Sequence, residues 1–269
     1  MSPPPAVQAA IDELARDPLR HIVLLKQLLA YPEHVRVHRV AGPGGAATLV
    51  ALDTSASPYD RQTYPKAAIA AFIASDHPDL TAALLSHLPM SHLPRGVGIV
   101  FKLSSAADLA PVEARFAVTR RTAFISFTAS GGTAPAPGVR VTSAPGDDAF
   151  RLFETQGHDR AWLAPLLGNG KAFACVAEAD DDGGGDTRAA CIAFENYGAV
   201  WEVGGVVTAP SHRRQGLGTR VVRTTLAELA ARRLAPRYQV EEHNTASIGL
   251  ARSVGLAPFL TIVHYAHDC

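Results

Sequence analysis

A short basic segment with two closely spaced glycines is the part of the chain best suited to chemistry. Residues 213–218 read RRQGLG. Two glycines separated by one residue let the backbone curl so that successive N–H groups face one point. At the start of a helix those N–H groups lack intrahelical partners, and the helix dipole adds partial positive charge. Guanidinium groups bind phosphate oxygens bidentately, so the segment indicates a phosphate site, with an ordinary basic turn as the alternative.

The flanking residues predict a strand before this turn and a helix after it. Trp201 to Thr208 is apolar and rich in valine, and the two glycines in its middle are typical of a bulge or a close backbone approach. Pro210 ends the strand because it has no N–H for a ladder hydrogen bond. After the turn, one helical stripe is formed by apolar residues, namely Leu217, Val221, Val222, Leu226, Leu229 and Ala230.

Two well-known phosphate loops do not fit this segment. A P-loop requires a lysine after its last glycine, and no lysine follows Gly218. A dinucleotide-binding fingerprint requires a third glycine where Val221 stands. The remaining pattern, Arg-x-x-Gly-x-Gly, resembles the acyl-CoA pyrophosphate loop of the GNAT N-acetyltransferase superfamily. Val207, Thr208 and Pro210 are also similar to the residues that precede this loop in those enzymes.

A second segment resembles the same superfamily. A short strand from Tyr238 is followed by Asn244, which can cap a helix, and by Gly255, which can close it. This is similar to the family element Asn-x-x-x-x-x-Leu-Tyr-x-x-x-Gly-Phe, whose asparagine reaches the pantetheine arm. The chain departs from it at Ala251, in place of tyrosine, and at Leu256, in place of phenylalanine. The motif-bearing resemblance covers residues 201–265, and a weaker one extends back to about residue 139.

The resemblance implies an α+β fold with a mixed, mostly antiparallel sheet flanked by helices. It implies acetyl-CoA or another acyl-CoA as cosubstrate and no metal. The strand before the loop is expected to splay from its neighbour and to offer free backbone N–H groups to the pantetheine and the carbonyl. The implied cofactor-binding residues are Val206, Val207, Thr208, Arg213, Arg214, Gln215, Gly216, Leu217, Gly218, Thr219, Asn244 and Ser247.

Acyl transfer to an amine needs a base for the amine proton and donors for the developing oxyanion. The resemblance implicates Glu202 as the base, since some GNAT enzymes place a glutamate at this offset. A carboxylate between Trp201 and Val203 would be shielded and could take a proton near neutral pH through a water. The alternative is an outward-facing glutamate. Weaker substitutes for the base are Glu195, Glu241 and Glu242.

The general acid is less defined because Ala251 stands at the position of the family tyrosine. Tyr265 is the candidate, with Tyr238 as a second choice, and each can instead be a strand aromatic that packs in the core. We therefore expect an N-acetyltransferase that moves an acetyl group to a primary amine of a small molecule or peptide by direct attack in a ternary complex. A catalytically weak or inactive acyl-CoA-binding sensor is the alternative.

The composition sets limits on partners and location. The chain has 269 residues, of which 47% are hydrophobic and 19% charged, as in a globular protein with a substantial core. The formal net charge is zero, so nothing indicates nucleic acid or a membrane surface as a partner. Cys175, Cys191 and Cys269 have neither metal nor redox-motif spacing, which favours a reducing, cytoplasmic setting. We expect neither a signal peptide nor a membrane span, and we expect a monomer or homodimer.

The chain divides into two predicted domains. Residues 129–138, with small residues, prolines and glycines, are predicted to link an α/β domain (1–128) to the GNAT domain (139–269). The predicted α-α-β-β-β-α-β order of 1–128 resembles a decayed GNAT half, as in tandem, glycine N-acyltransferase-like members. It has no Arg-x-x-Gly-x-Gly loop, so no acyl-CoA is expected there, and an unrelated accessory domain is the alternative. The acidic segment 180–186 is interpreted as a solvated hairpin turn, because it lacks the alternating pattern of a calcium loop.

Overall fold

Helices and strands alternate along the chain in the computed structural model, which describes residues 3–89, 91–94, 96–129, 131–178 and 186–268. The helices α1 to α9 are Pro5–Leu14, Ile22–Ala30, Pro58–Thr63, Pro78–Ser86, Leu109–Glu113, Asp147–Glu154, Arg160–Gly168, Leu217–Ala231 and Thr245–Ser253. The strands β1 to β11 are Val35–Gly42, Gly45–Asp53, Ala67–Ser75, Gly98–Leu103, Thr119–Thr128, Arg140–Thr142, Ala172–Glu178, Thr187–Tyr197, Val200–Thr208, Ala235–Glu241 and Ala257–His267. The architecture is α+β, with mostly antiparallel strands flanked by helices, as predicted. Residues 180–185 of the acidic segment lie outside the described residues.

Residue contacts divide the chain into two compact units. The first unit contains residues 1–125 and 260–269, and the second contains residues 126–259. This division differs from the predicted boundary, which placed 260–269 with the second domain. The physical reason is strand pairing, because residues 263–267 of β11 lie antiparallel to residues 99–103 of β4.

The segment predicted as a linker has neither helix nor strand among its described residues, and its end is fixed to the second unit. The backbone N–H of Ala136 donates to Thr224 Oγ1 over 3.0 Å. The guanidinium of Arg220 donates to the carbonyl oxygen of Pro137. Both side chains belong to α8, so this helix holds the segment in place.

In the first unit the strands follow the order β1-β2-β3-β4-β11. β1, β2 and β3 form an antiparallel meander, and β4 joins β3 in parallel. Their buried faces enclose a core that includes Leu49, Ile73 and Phe101. The predicted helices and strands of this half are all present, and the sequence reading missed α3, which Ser57 caps by accepting from the Asp60 N–H.

In the second unit the strands follow the order β6-β7-β8-β9-β10, antiparallel except for the parallel pair β9 and β10. Helices α6 and α7 cover one face of these strands, and Phe153, Leu163 and Ile192 belong to one buried core cluster. Cys175 and Cys191 lie opposite each other on β7 and β8, and the Thr225 side chain of α8 contacts both. The sheet is thus covered by helices on both faces.

The two halves of the chain sequence repeat one order of elements. The series α1-α2-β1-β2-β3-α4-β4-α5-β5 is matched by α6-α7-β7-β8-β9-α8-β10-α9-β11, with α3 as an addition to the first series and β6 as an addition before the second. The pairings match as well, because each series has two antiparallel pairs followed by one parallel pair. This repetition supports the interpretation of residues 1–128 as a degenerate copy.

Candidate active site

Strands β9 and β10 separate in the middle of the second unit. Their parallel register runs from Val200 opposite Ala235 to Glu202 opposite Arg237, and no later pair is formed within these two fully described strands. Both strands continue past this point, β9 to Thr208 and β10 to Glu241. One edge of β9 is therefore open, and this is the splay that the resemblance implied.

A bulge in β9 adjoins the open edge. Ala190 of β8 lies opposite Val207, whereas Ile192 lies opposite Gly204, so β9 carries an extra residue there. Gly205 has φ +56°, and a Cβ atom at this position would lie 2.9 Å from Ile192 Cγ1. Glycine is needed here for both the backbone conformation and the close approach.

The direction of the β9 N–H groups follows from the strand end. The N–H of Ala209 donates to the carbonyl of Arg188, at the start of β8, over 2.9 Å. Because successive residues of a strand point their N–H groups to opposite sides, the N–H of Val207 faces β8. Those of Val206 and Thr208 face the open edge. Two of the three predicted strand residues therefore have backbone donors directed to the open edge.

The predicted phosphate loop leads into α8, and the first backbone N–H groups of this helix have no hydrogen-bond partner within the described ranges. Gly216 caps the helix in the left-handed conformation, φ +74°, and no side chain caps it. The first helical hydrogen bond runs from the Arg220 N–H to the Gly216 carbonyl over 3.1 Å. Among the residues that the structure describes, the N–H groups of Leu217, Gly218 and Thr219 have no hydrogen-bond partner. Three convergent donors at a helix N-terminus are suited to an anion.

The side chains around these donors are cationic and accessible. Arg213, Arg214 and Gln215 are exposed, and Arg214 adopts φ +60°. Arg213 Nε lies 3.4 Å from the Thr208 carbonyl oxygen, which folds the arginine back toward the end of β9. In the described part of the chain no carboxylate forms an ion pair with either arginine. Both positive charges therefore remain available to an anionic ligand.

Glu202 lies at the point where the strands separate. Its side chain is 11% exposed, and Oε2 accepts hydrogen bonds from Arg237 Nη1 at 2.6 Å and from Asn196 Nδ2 at 2.8 Å. The alternative reading as an outward-facing glutamate is therefore wrong. Arg237 and Asn196 were not anticipated, since neither belongs to a motif and both contact Glu202 only through strand pairing.

Asn244 and Ser247 lie at the start of α9, after β10. Asn244 Oδ1 accepts the Ser247 N–H at 3.0 Å, which confirms the predicted helix cap. The Ser247 hydroxyl lies 3.1 Å from the Tyr238 hydroxyl, and burial raises the pKa of Tyr238. This network links the separated part of β10 to α9.

Sequence comparison assigns this unit to a family. The profile described as the acetyltransferase (GNAT) family matches residues 141–256. The chain contains a GNAT domain. No curated protein sequence matches the chain significantly.

Solved structures share the fold over most of the chain. A GCN5-related N-acetyltransferase from Sphaerobacter thermophilus has a TM-score of 0.58 at 14% identity, covering 91% of this chain and 84% of its own. A GCN5-related N-acetyltransferase from Kribbella flavida has a TM-score of 0.53 at 20% identity, with 91% and 94% covered. A tandem GNAT protein from the clavulanic acid biosynthesis pathway has a TM-score of 0.52 at 14% identity, with 92% and 87% covered. These likenesses support a two-domain GNAT fold. Among the described residues, no helix is long and apolar enough to span a membrane.

Among its described residues, the first unit lacks the separated parallel strands and the glycine-containing turn that form the candidate site of the GNAT domain. Its equivalent parallel strands, β3 and β4, stay paired from Ala67 to Ile73, so no edge is exposed between them. Its short turn into α4 contains Asp76 and His77 instead of glycines, and His77 Nδ1 accepts the Asp79 N–H. The N–H of Ala46 holds the pKa of Asp76 below its usual range, so an anionic group sits at this turn. These features oppose phosphate binding there.

Tyr265 belongs to the first unit, where it lies opposite Phe101 of β4 and packs against the core. That position favours a packing role for Tyr265 over a role as the general acid. Ala251 of the GNAT domain is fully buried on α9, so no hydroxyl replaces the family tyrosine at this position. Among the weaker carboxylates, Glu195 is paired with Lys171 at 3.1 Å, and Glu241 accepts the backbone N–H of His243.

An aromatic cluster that was not predicted from the sequence lies beside the β9 bulge. The rings of His158, Trp162 and Phe194 lie within 5.1 to 6.2 Å of one another, centroid to centroid. A Cβ atom on Gly204 would lie 3.6 Å from Phe194 Cε1 and 3.7 Å from His158 Nε2. His158 and Trp162 are four positions apart, but Phe194 lies on β8, and only the packing of the helices on the sheet brings it to the other two.

Proposed function

We propose that the GNAT domain transfers an acetyl group from acetyl-CoA to a primary amine of a small molecule or a peptide, in a ternary complex. The observation that carries this proposal is the open edge of β9 beside the unpaired N–H groups of α8. An extended amide can lie along such an edge while an anion binds at the adjoining helix terminus. The cysteines support a reducing, cytoplasmic setting, since Cys175 and Cys191 are free thiols.

The residues present fit acetyl-CoA as follows. The N–H groups of residues 217–219 would bind the diphosphate, with Arg213 and Arg214 supplying charge. The N–H groups of Val206 and Thr208 would bind the pantetheine amide and the thioester carbonyl. Bound acetyl-CoA supplies an acyl group activated by its thioester. The backbone donors stabilise negative charge on the carbonyl oxygen, and one such donor is typically worth about 3–4 kcal/mol of barrier.

Glu202 is the proposed base. Arg237 and Asn196 fix its Oε2, so the carboxylate has a defined orientation at the end of the open edge. It would take the amine proton through a water and thereby expose the nitrogen lone pair. No acid is assigned within the GNAT domain, because a thiolate, whose conjugate acid has a pKa near 8.5, is a stable leaving group.

Binding and turnover test the proposal separately. Acetyl-CoA should bind in calorimetry, and Gly216→Glu should abolish binding, because its carboxylate would face the diphosphate. Amine-dependent thiol release should be lost in the same variant and strongly reduced in Glu202→Gln. Absence of acetyl-CoA binding by the wild-type protein would refute the assignment.

A sensor that binds acyl-CoA without catalysis is the second candidate, and buried Ala251 favours it because the usual acid is missing. It predicts the same binding result with no amine-dependent thiol release from any amine. Turnover therefore decides between the two functions.

A further inference from the structure

We propose that the acceptor is a primary amine that carries an aromatic group, and that the aromatic wall formed by His158, Trp162 and Phe194 binds this group. The inference rests on the proposed acetyl transfer. It adds the class of the acceptor, which neither the phosphate loop nor the strand edge specifies.

The wall is an ordered set of rings. His158 stacks on Trp162 with centroids 5.5 Å apart and an interplanar angle of 27°. Phe194 meets Trp162 edge to face, at 5.1 Å and 88°. Both arrangements match the preferred geometries of aromatic pairs, so the rings are held in fixed orientations. A rigid arrangement loses little entropy when another ring is added.

The wall adjoins the proposed reaction centre. Phe194 lies directly opposite Glu202 in the β8–β9 register, so the two side chains share one face of the sheet. His158 covers the bulge, since Cβ atoms on Gly204 and Gly205 would lie 3.7 and 3.2 Å from its ring. An acceptor whose nitrogen approaches the β9 edge from this face therefore meets the wall.

Exposure of Trp162 indicates that the wall is incomplete. Trp162 is 42% exposed, although His158 covers one face of the indole. The other described rings of the wall are half-buried. An added ring would bury the remaining indole surface and gain the stacking that aromatic pairs favour. Glu202, on the same face, supplies the negative charge that suits the ammonium of the same molecule.

The chemical step balances with these groups. The bound ammonium loses one proton to Glu202 through water, and the neutral amine then forms the C–N bond. The C–S bond of the thioester breaks, the nitrogen gives its second proton to water, and the sulfur leaves as a thiolate that takes up a proton from solvent. No oxidant or further reactant is required.

The test compares matched amines in the thiol-release assay. Phenethylamine and benzylamine should exceed n-hexylamine and putrescine in kcat/KM by about ten-fold or more. Trp162→Leu, which keeps an apolar side chain without a ring, should reduce this ratio to near one and leave the Kd for acetyl-CoA unchanged. Trp162→Phe should retain most of the preference, and thermal melts of both variants check their folding.

The outcomes separate the two proposals. If the aliphatic amines are preferred, or if Trp162→Leu leaves the preference intact, the aromatic assignment is wrong and acetyl transfer stands. If no amine releases thiol while acetyl-CoA still binds, acetyl transfer is wrong and the acceptor assignment falls with it.

Discussion

Arg237 and Glu202 are the last residues paired across β9 and β10 before the strands separate, and an ion pair joins their side chains. Arg237 Nη1 lies 2.6 Å from Glu202 Oε2, and the Arg237 side chain is 2% exposed. A buried guanidinium and carboxylate bonded to each other tie the two strands at the point of divergence. The same carboxylate that is proposed as the base thus also defines where the open edge begins.

Replacing Arg237, and thereby removing one member of this ion pair, should destabilise the protein. Arg237→Met leaves the Glu202 carboxylate buried with only Asn196 as a partner, and removing one member of a buried pair typically costs about 3–5 kcal/mol. Urea unfolding followed by circular dichroism measures the loss. Glu202→Gln combined with Arg237→Met removes the buried charge altogether and should be more stable than Arg237→Met alone. Equal stability of the two would show that the ion pair is not the cause.

A catalytic role for Glu202 requires a result that a purely structural role would not give. Glu202→Gln keeps the shape of the side chain and can still accept a hydrogen bond from Arg237. We expect kcat to fall by about 10²–10⁴, the usual contribution of a general base, while acetyl-CoA affinity is retained. An unchanged kcat would contradict the assignment.

The phosphate loop can be tested one charge at a time. Arg213→Ala should weaken acetyl-CoA binding by about 10- to 100-fold, because a hydrogen bond to a charged group is worth about 1.5–3 kcal/mol. The loss should shrink at high salt, which screens the exposed guanidinium. Arg223→Ala is the matched control, since Arg223 is an exposed arginine of α8 outside the loop. Similar losses in both variants would indicate a general charge effect and not a defined site.

The features that the sequence predicted are those encoded by neighbouring residues. The glycine-containing turn, the stripe of α8 and the Asn244 cap each depend on residues a few positions apart, and all three are present. The stripe differs from its prediction at Ala230, which is exposed near the end of the helix. Gly204 and Gly205 likewise marked a real irregularity, because Gly205 forms the bulge. Local backbone conformation and helical spacing are sufficient for these assignments.

The features that the sequence did not predict depend on strand pairing. Arg237 lies 35 positions after Glu202 and meets it only because β9 and β10 are parallel neighbours. Tyr265 was assigned near the motif by its place in the sequence, yet β11 pairs with β4 of the first unit. Neither register can be inferred from a single sequence, since many strand orders satisfy the same apolar pattern.

The two cysteines of the second unit should be unreactive while the protein is folded. Burial raises the pKa of Cys175 to about 11 and raises that of Cys191 still further, so both are thiols at neutral pH. In the Cys269→Ser variant, Ellman's reagent should therefore detect almost no thiol until urea unfolds the chain and then about two per molecule. Rapid reaction of the folded variant would contradict this burial. The same variant gives a low background for the thiol-release assay.

A histidine in the core of the first unit should make stability depend on pH. His264 Nδ1 lies 2.6 Å from the Tyr64 hydroxyl, and Phe124 packs on its ring. Burial, with a smaller contribution from the nearby Lys102 charge, lowers its pKa to about 3. In the unfolded chain a histidine titrates near 6.5, so between pH 6.5 and 3 the unfolded state binds a proton that the folded state does not.

Stability from this group is therefore fully present above pH 6.5 and is lost as the pH falls through that window, at up to about 1.4 kcal/mol per pH unit. His264→Gln retains a polar acceptor for Tyr64 but cannot titrate. The free energy of unfolding of the wild-type protein, measured in urea at pH 6.5, 5.5 and 4.5, should decrease more steeply than that of the variant. Because the carboxylates titrate in both proteins, the difference between the two slopes isolates His264. Parallel slopes would show that His264 is protonated equally in the folded and unfolded states.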